Sequence, residues 1–499
     1  MRQLSIGLLI PFALLAGCRT GLQAADLPMH WPTRSPPAIA GNNPLVWVAL
    51  ADRLPAGTAA PNSLELKAAA GLLTLRDGRG VERRGQSFEI QWRREPLPEA
   101  LLLERRVLGP FPSYESAAEE ARLWRLRGAK PVLARPLDWE VWAPLANPLP
   151  EGASGLERFN HQQRWRAQLK QAGKVINLDG PITIKASNGL FWKGGTYGGP
   201  FRLQADAYGT WTLVEQVPLE IYLQGVVPHE IGASAPAAAQ AAQAVLARTW
   251  ALANQQRFQV DGYHLCADSQ CQVYGDPSQT GSSLRAALAA SKGLLLTWQG
   301  KPVHGVYSAS NGGVSAGFDE GWGGGPLPYL RPQVDGPATE KKRFPLPIVA
   351  GVGLNKLLED GGNLYGQAHP RHRWQRRITS QDLAAIAAAE GLGSVQDFVV
   401  EQRGPSGRVL NLQLQGSAAS LNLRRDQIRR RLRQLPSTLF VVVKEQPGVW
   451  RFDGAGFGHG VGLSQAGAIE LAQKGWSSSQ ILKYYFPGTK LEKLKTISK

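Results

Sequence analysis

Between Val217 and Trp250 the chain reads VPLEIYLQGVVPHEIGASAPAAAQAAQAVLARTW, two helical patterns separated by a bend rich in proline and glycine. The first pattern covers 218–226 and the second 236–254. The second is dominated by alanine, the best helix former. Ser234 is placed to cap it, and Pro236 stands near its first helical position. The bend holds one carboxylate, Glu230. A loop held between rigid elements can turn a side chain toward a ligand while its flanks stay fixed. An isolated acid in such a bend suits a proton donor. The competing role is a helix cap or one half of an ion pair.

The N-terminus bears on the compartment. Arg2 precedes an apolar run, Leu4 to Leu15, which ends in Leu15-Ala16-Gly17-Cys18. The run is too short to span a membrane permanently. A charged start, a short apolar stretch and small residues read as an export signal. Leu-Ala-Gly-Cys resembles the bacterial lipobox, in which the cysteine takes lipid and becomes residue one. The alternative is an ordinary signal peptide cut near Ala24-Ala25. The expectation is an exported, membrane-anchored lipoprotein of the periplasm or cell envelope, lipidated at Cys18. Lys and Arg outnumber Asp and Glu, 56 to 39. That balance favours a polyanion, and export points away from nucleic acid toward anionic lipid or an acidic wall polymer.

The rest of the chain is punctuated by turns. Residues 19–43 read as a Pro-rich tether. Strand patterns follow at 45–50, 72–77 and 88–93, and again from 175 onward, where aromatic and β-branched residues alternate with polar ones. Between these blocks, residues 99–145 read as a small α/β insertion. Its helix is capped by Ser113 or Ser116 and closed by Gly128. The string G-P-F-x-S-x-x-x-A resembles a SPOR repeat, a module that binds bare glycan strands; a plain α/β insertion fits as well. Further helices are expected at 280–295, 379–392 and within 463–485, and strands at 302–309 and 408–416. Six arginines between Arg424 and Arg433 read as a solvated helix face or as a site for an anionic partner.

Four blocks, taken in order, resemble the SpoIID (stage II sporulation protein D) domain. They are V-P-L-E-x-Y-L-x-G-V-V-x-x-E from Val217 to Glu230, and A-Q-A-V-x-A-R-T from Ala242 to Thr249. The third is C-x4-C-Q-V-Y from Cys266 to Tyr274, followed by Y-S-A-S-N-G-G from Tyr307 to Gly313. The fourth is G-x-G-F-G-H-G-V-G-L-S-Q-x-G-A from Gly454 to Ala468. The resemblance implies an α+β fold: a β-rich N-terminal half and a mixed α/β catalytic core over 44–98 and 175–490, carrying the small SPOR-like insertion.

It also implies a peptidoglycan lytic transglycosylase. Such an enzyme cuts between N-acetylmuramic acid and N-acetylglucosamine and leaves a 1,6-anhydro end. A second possibility within the family is a non-catalytic activator of a wall amidase, which would then be a partner. The catalytic acid falls on Glu230, whose proton would be retained by burial against Val226, Val227 and Ile231. The resemblance places His459, Ser464 and Gln465 along the glycan cleft and suggests Ser308, Ser310 and Asn311 as partners for sugar hydroxyls or as turn residues. Arg248 is expected to pair with Glu230 or to stabilise its helix.

No cofactor is expected, with zinc as the alternative. Some relatives carry a His/Cys zinc site around the C-x4-C pair. Here Gln270 and Val260 stand where histidines are expected, leaving Cys266, Cys271 and His264 as candidate ligands. A disulfide between Cys266 and Cys271 is preferred.

Overall fold

The computed structural model describes residues 27–41, 44–55, 63–150, 155–171, 173–348 and 350–494. Cys18, the export signal and the start of the tether lie outside the described residues. Within them, no helix is long and apolar enough to cross a membrane.

The architecture is α+β, with strands dominating before residue 218. A seven-stranded sheet runs in the order Leu265–Cys266, Leu45–Leu54, Trp211–Pro218, Phe201–Ala205, Ile182–Ala186, Leu73–Arg76, Glu82–Gly85. The first two strands are parallel. Strand Leu45–Leu54 is buried on both faces, which explains its unbroken apolar start. Val46, Val48 and Leu50 enter the main core, while Trp47 and Ala49 point into a second one.

A second sheet is organised around one long strand, Ser87–Phe111, which continues through residue 98. Its partner for most of its length is Gly155–Gln171, a strand the sequence pattern does not announce. Beyond it come helix α1 (Tyr114–Leu126) and the hairpin Val132–Ala134/Trp139–Ala143. Ser113 is the cap of α1 and accepts from the Ser116 amide at 3.2 Å. Helix α1 does not stand apart. Ala117, Ala121 and Trp124 share a core with Trp139 and Val141, and with Trp47, Phe258 and Tyr263 of the main body.

Helix α2 (Leu219–Val227) and helix α3 (Ala237–Ala253) fall where the pattern places them. Every residue of α3 from Ala239 to Leu252 is buried, so alanine serves close packing on all sides, not only propensity. The expected cap is corrected. Pro236 occupies the capping position with no side-chain bond, and the carbonyls of the bend are taken up instead by Gln240 Nε2, 2.9 Å from Ala233 O.

Several boundaries move for tertiary reasons. The helix expected at 280–295 ends at Ala290, because Leu294–Trp298 pairs with Lys490–Lys493 as a strand. The stretch 302–309 is strand only at its two ends. The helix expected at 379–392 contracts to Ala384–Ala389, since Thr379 closes the strand that begins at Arg373.

Residues 373–455 build two three-stranded sheets around their own core of Trp374, Phe398, Leu412, Trp450 and Phe452. The arginine run belongs to this unit; Arg424, Arg431 and Arg433 are exposed, and three of the six side chains make contacts within the protein. Arg425 Nε reaches Asp319 O at 2.9 Å, Arg430 pairs with Asp138 of the α1 hairpin at 2.9 Å, and Arg431 pairs with Glu390.

Candidate functional site

Helix α2 does not end in an ordinary turn. Pro228 begins a five-residue π-helical turn, Pro228–Gly232, and Gly232 leaves it at φ +94°. Wide turns of this kind relax the helical hydrogen bonds and change where side chains point. The turn carries Glu230 to the edge of the main core, half-buried over Ile231. His229 Nδ1 bonds Gly225 O at 2.8 Å and locks the turn from behind. Its ring passes so close to Gly275 that a Cβ there would lie 2.2 Å from it.

Two groups hold the Glu230 carboxyl. The Val273 amide donates to Oε1 at 2.8 Å, and the Tyr307 hydroxyl donates to the same carboxyl. Tyr307 in turn accepts from Gln272 Nε2 at 3.0 Å, and Gln272 Oε1 accepts from the buried Tyr222 hydroxyl at 3.1 Å. Burial raises the affinity of Glu230 for its proton above that of an ordinary glutamic acid, and the two hydrogen bonds moderate the rise.

Glu230 is shared by two cavities. One, of about 260 Å³, is walled by Tyr307, Trp250, Arg257, Glu115, Trp322 and His459. The other, of about 600 Å³, lies against Ala309, the loop 366–370, Gln465 and Glu470. Other carboxylates border these spaces, but they are engaged. Glu115 of α1 pairs with Arg257, which is also held by Gln270 O at 3.0 Å. Glu470 accepts from the Gly366 amide at 2.7 Å and pairs with Lys474 at 2.7 Å.

His459 faces the smaller cavity with its ring against Trp322, centroids 4.8 Å apart. Its Nδ1 accepts from the Val461 amide at 3.0 Å, and the ring also bonds the Tyr307 backbone. Burial, with Arg429 and Arg408 behind it, pushes the imidazole down to about 3. The ring is therefore neutral and both of its nitrogens are engaged. The glycines beside it serve packing. A Cβ on Gly460 would fall 2.1 Å from Arg408 Nη2, and one on Gly458 would fall 2.8 Å from Ser308 Cβ.

The structure brings Glu230, His459 and Gln465 to the cleft and separates the other expected residues from it. Arg248 is a correction: its side chain is wholly buried and grips Glu220, not Glu230. Asn311 is another. Its amide donates to Asp335 at 2.7 Å and its oxygen accepts from Gly313 N at 2.9 Å. Ser310 accepts from Gly312 N at 3.3 Å, and Ser464 caps helix Gln465–Gln473 through Gly467 N at 3.3 Å. These three side chains are spent on turns. Ser308 follows Tyr307 with its hydroxyl buried and unpartnered among protein atoms.

Cys266 and Cys271 are joined as a disulfide, with Cα atoms 5.7 Å apart. His264 is not offered to them. Its Nδ1 accepts from the Trp47 amide at 2.9 Å, its Nε2 meets Pro37 O at 2.8 Å, and burial pushes the ring down to about 4. Among the described residues no group of three or more His, Cys, Asp or Glu side chains is placed to hold a metal ion. This donor set does not fit a zinc site.

Sequence reasoning missed Tyr307, Gln272, Val273 and Trp322. The first three sit inside the quoted blocks, and no local pattern marks them. The Glu115–Arg257 pair joins residues 142 apart in the chain and leaves no trace in either neighbourhood.

Comparison with known proteins finds similarity in the stretch that holds the bend. Residues 207–298 match the family described as Stage II sporulation protein, and residues 316–462 match a domain of unknown function, DUF8618. Glu230 lies in the first match, and Trp322, His459 and the loop 366–370 lie in the second. The amidase enhancer of Bacillus subtilis (strain 168) is 28% identical over 293 residues, which is 54% of this chain and 40% of that protein. Stage II sporulation protein D of Bacillus amyloliquefaciens is 26% identical over 291 residues, 55% of this chain and 74% of that protein. The Bacillus subtilis (strain 168) protein of the same name is 26% identical over 296 residues, 56% and 75% of the two chains. The chain thus spans less than half the length of the amidase enhancer. The site belongs to a two-cavity cleft built on an α+β core. The stretch that carries Glu230 matches the SpoIID family.

Proposed function

We propose that the protein works at the cell wall as a lytic transglycosylase, cutting peptidoglycan glycan strands between N-acetylmuramic acid and N-acetylglucosamine. The observation that carries the reading is the contrast among the cleft's carboxyls. Glu115 and Glu470 have cationic partners, whereas Glu230 has none among the described residues and is disposed to keep its proton. Ordinary glycosidases need two working carboxyl groups, one for the leaving oxygen and one for water or the sugar carbon. One acid suffices when the sugar supplies its own nucleophile. Glu230 gives its proton to the glycosidic oxygen as the C1–O4 bond breaks. The C6 oxygen closes on C1 and its proton passes to Glu230. Atoms balance without water, and the acid is regenerated.

The surplus of basic residues suits an acidic wall polymer, and lipidation at Cys18 would hold the enzyme at the membrane facing it. The SPOR-like stretch around α1 fits an added grip on bare glycan. Digesting purified sacculi tests the activity: mass spectrometry should find 1,6-anhydro ends, and reducing ends carrying an added water would overturn it. Losing Cys18 (Cys18→Ser) should move the protein out of the membrane fraction.

A second reading, activation of a wall amidase, is favoured by the similarity to the amidase enhancer. It predicts that adding the protein speeds amidase release of stem peptides and that Glu230→Gln retains this effect.

A further inference from the structure

We propose that Gln272 is the positioning residue of this site, fixing the Tyr307 hydroxyl so that its proton points at Glu230. The inference rests on Glu230 being the acid. The argument is one of donors and acceptors. The Tyr222 hydroxyl is wholly buried, and Gln272 Oε1, 3.1 Å away, is its hydrogen-bond acceptor. That bond orients the amide: Oε1 faces Tyr222, so Nε2 faces Tyr307, at 3.0 Å. An amide nitrogen only donates. The Tyr307 oxygen must therefore accept from it, and the phenol's own proton is left for the Glu230 carboxyl.

Gln272 is itself held still. Its side chain is 1% exposed, and the backbone on either side is fixed, by the Cys266–Cys271 disulfide before it and by the Val273–Glu230 bond after it. Glu230 thus meets two aligned donors at the moment it becomes a carboxylate. Donors that are already oriented need not reorganise during the reaction. Burial strengthens the hold of Glu230 on its proton beforehand, and the relay receives the charge that forms when the proton leaves.

The other charged or titratable groups facing Glu230 are His459 and the Glu115–Arg257 pair across the smaller cavity, and His369 and Glu470 across the larger one. None touches Gln272 through a hydrogen bond, so a Gln272 substitution leaves them in place.

The test uses Gln272→Leu, Tyr307→Phe and the double variant, with Tyr222→Phe as a fourth that leaves the amide intact but free to turn. Two readouts are needed. One is the pH profile of glycan cleavage. The other is titration of the Glu230 carboxyl by carbon NMR on glutamate-labelled protein, which requires no turnover. Loss of an aligned bond to a charged group should lower kcat about tenfold or more with KM little changed. Losing a donor to the carboxylate also makes Glu230 hold its proton more tightly, so its titration and the alkaline limb of the profile should both move to higher pH. Tyr307→Phe should give the same displacement, Tyr222→Phe a smaller one, and the double variant no more than Tyr307→Phe alone.

An unmoved Glu230 titration in folded Gln272→Leu would overturn the inference. Should Gln272→Leu fail to fold, an unmoved titration in Tyr222→Phe would do the same. If the titration moves as expected but the wild type releases no anhydro product, the relay stands and the transglycosylase reading falls.

Discussion

Arg248 turns its back on Glu230 and closes a two-bond pair with Glu220, Nε to Oε1 at 2.8 Å and Nη2 to Oε2 at 2.7 Å. The pair links α3 to α2 and so braces the helix from which the bend with Glu230 emerges. The two partners are not equivalent. Arg248 is wholly buried, while the Glu220 side chain is 27% exposed. Removing the acid strands a buried cation, whereas removing the cation leaves an acid that water can reach. Glu220→Ala should therefore cost more stability than Arg248→Met, with the former at about 3 kcal/mol. Urea denaturation of both variants decides it, and equal or reversed costs would refute the buried-cation account.

Glu230→Gln should abolish release of 1,6-anhydro products, a loss of about a hundredfold or more, because a general acid contributes about that much. The amide keeps an oxygen for the Val273 and Tyr307 donors but has no proton to give. Thermal denaturation should show the same transition as the wild type. Residual cleavage close to the wild-type rate would remove Glu230 from the mechanism.

His459 gives a prediction with a definite sign. In the unfolded chain it takes a proton as pH falls through its ordinary value of 6.5, but in the folded protein only near 3. Between those values the unfolded state binds more protons. The contribution of His459 to stability is therefore complete above about pH 6.5 and is lost as the pH falls toward 3. Urea midpoints of wild type and His459→Gln, compared at pH 7.5 and pH 5, should lie closer together at the lower pH. A constant gap would mean that the imidazole titrates alike in both states.

The bend was legible because it is local. An alanine-rich stretch can be little but helix, a proline and a glycine mark its edges, and Glu230 is the one acid between them. What surrounds Glu230 was not legible, because it arrives from far along the chain: Val273 from 43 residues away, and Tyr307 from beyond a further helix and strand. Short polar residues misled for a different reason. Ser310 and Asn311 look the same in sequence whether their hydrogen bonds go to a turn or to a sugar, and burial alone tells them apart. Strand Gly155–Gln171 escaped notice because its side chains are mostly polar. It exists because a long partner strand is there to pair with it, and local pattern carries no information about that.

The disulfide ties stability to the site. Cys266 continues the main sheet beside Leu45–Leu54, and Cys271 immediately precedes Gln272 and Val273, the two residues that reach toward Glu230. Closing so short a loop removes unfolded-state entropy worth roughly 2 kcal/mol. Opening it also frees the backbone that aims the Val273 amide. Intact-mass measurement on protein kept from reductant should find two hydrogens fewer than the dithiol form, and elemental analysis should find little zinc. Stoichiometric zinc with two free thiols after chelation would replace the disulfide with a metal site. Cys271→Ser, or a reductant strong enough to open the bond, should lower the thermal transition and reduce kcat more than it raises KM, since substrate contacts are untouched while the donor to Glu230 is loosened. If reduction lowers the melting temperature yet leaves kcat unchanged at a temperature where the protein stays folded, the bridge serves stability alone and the Val273 amide is held by other means.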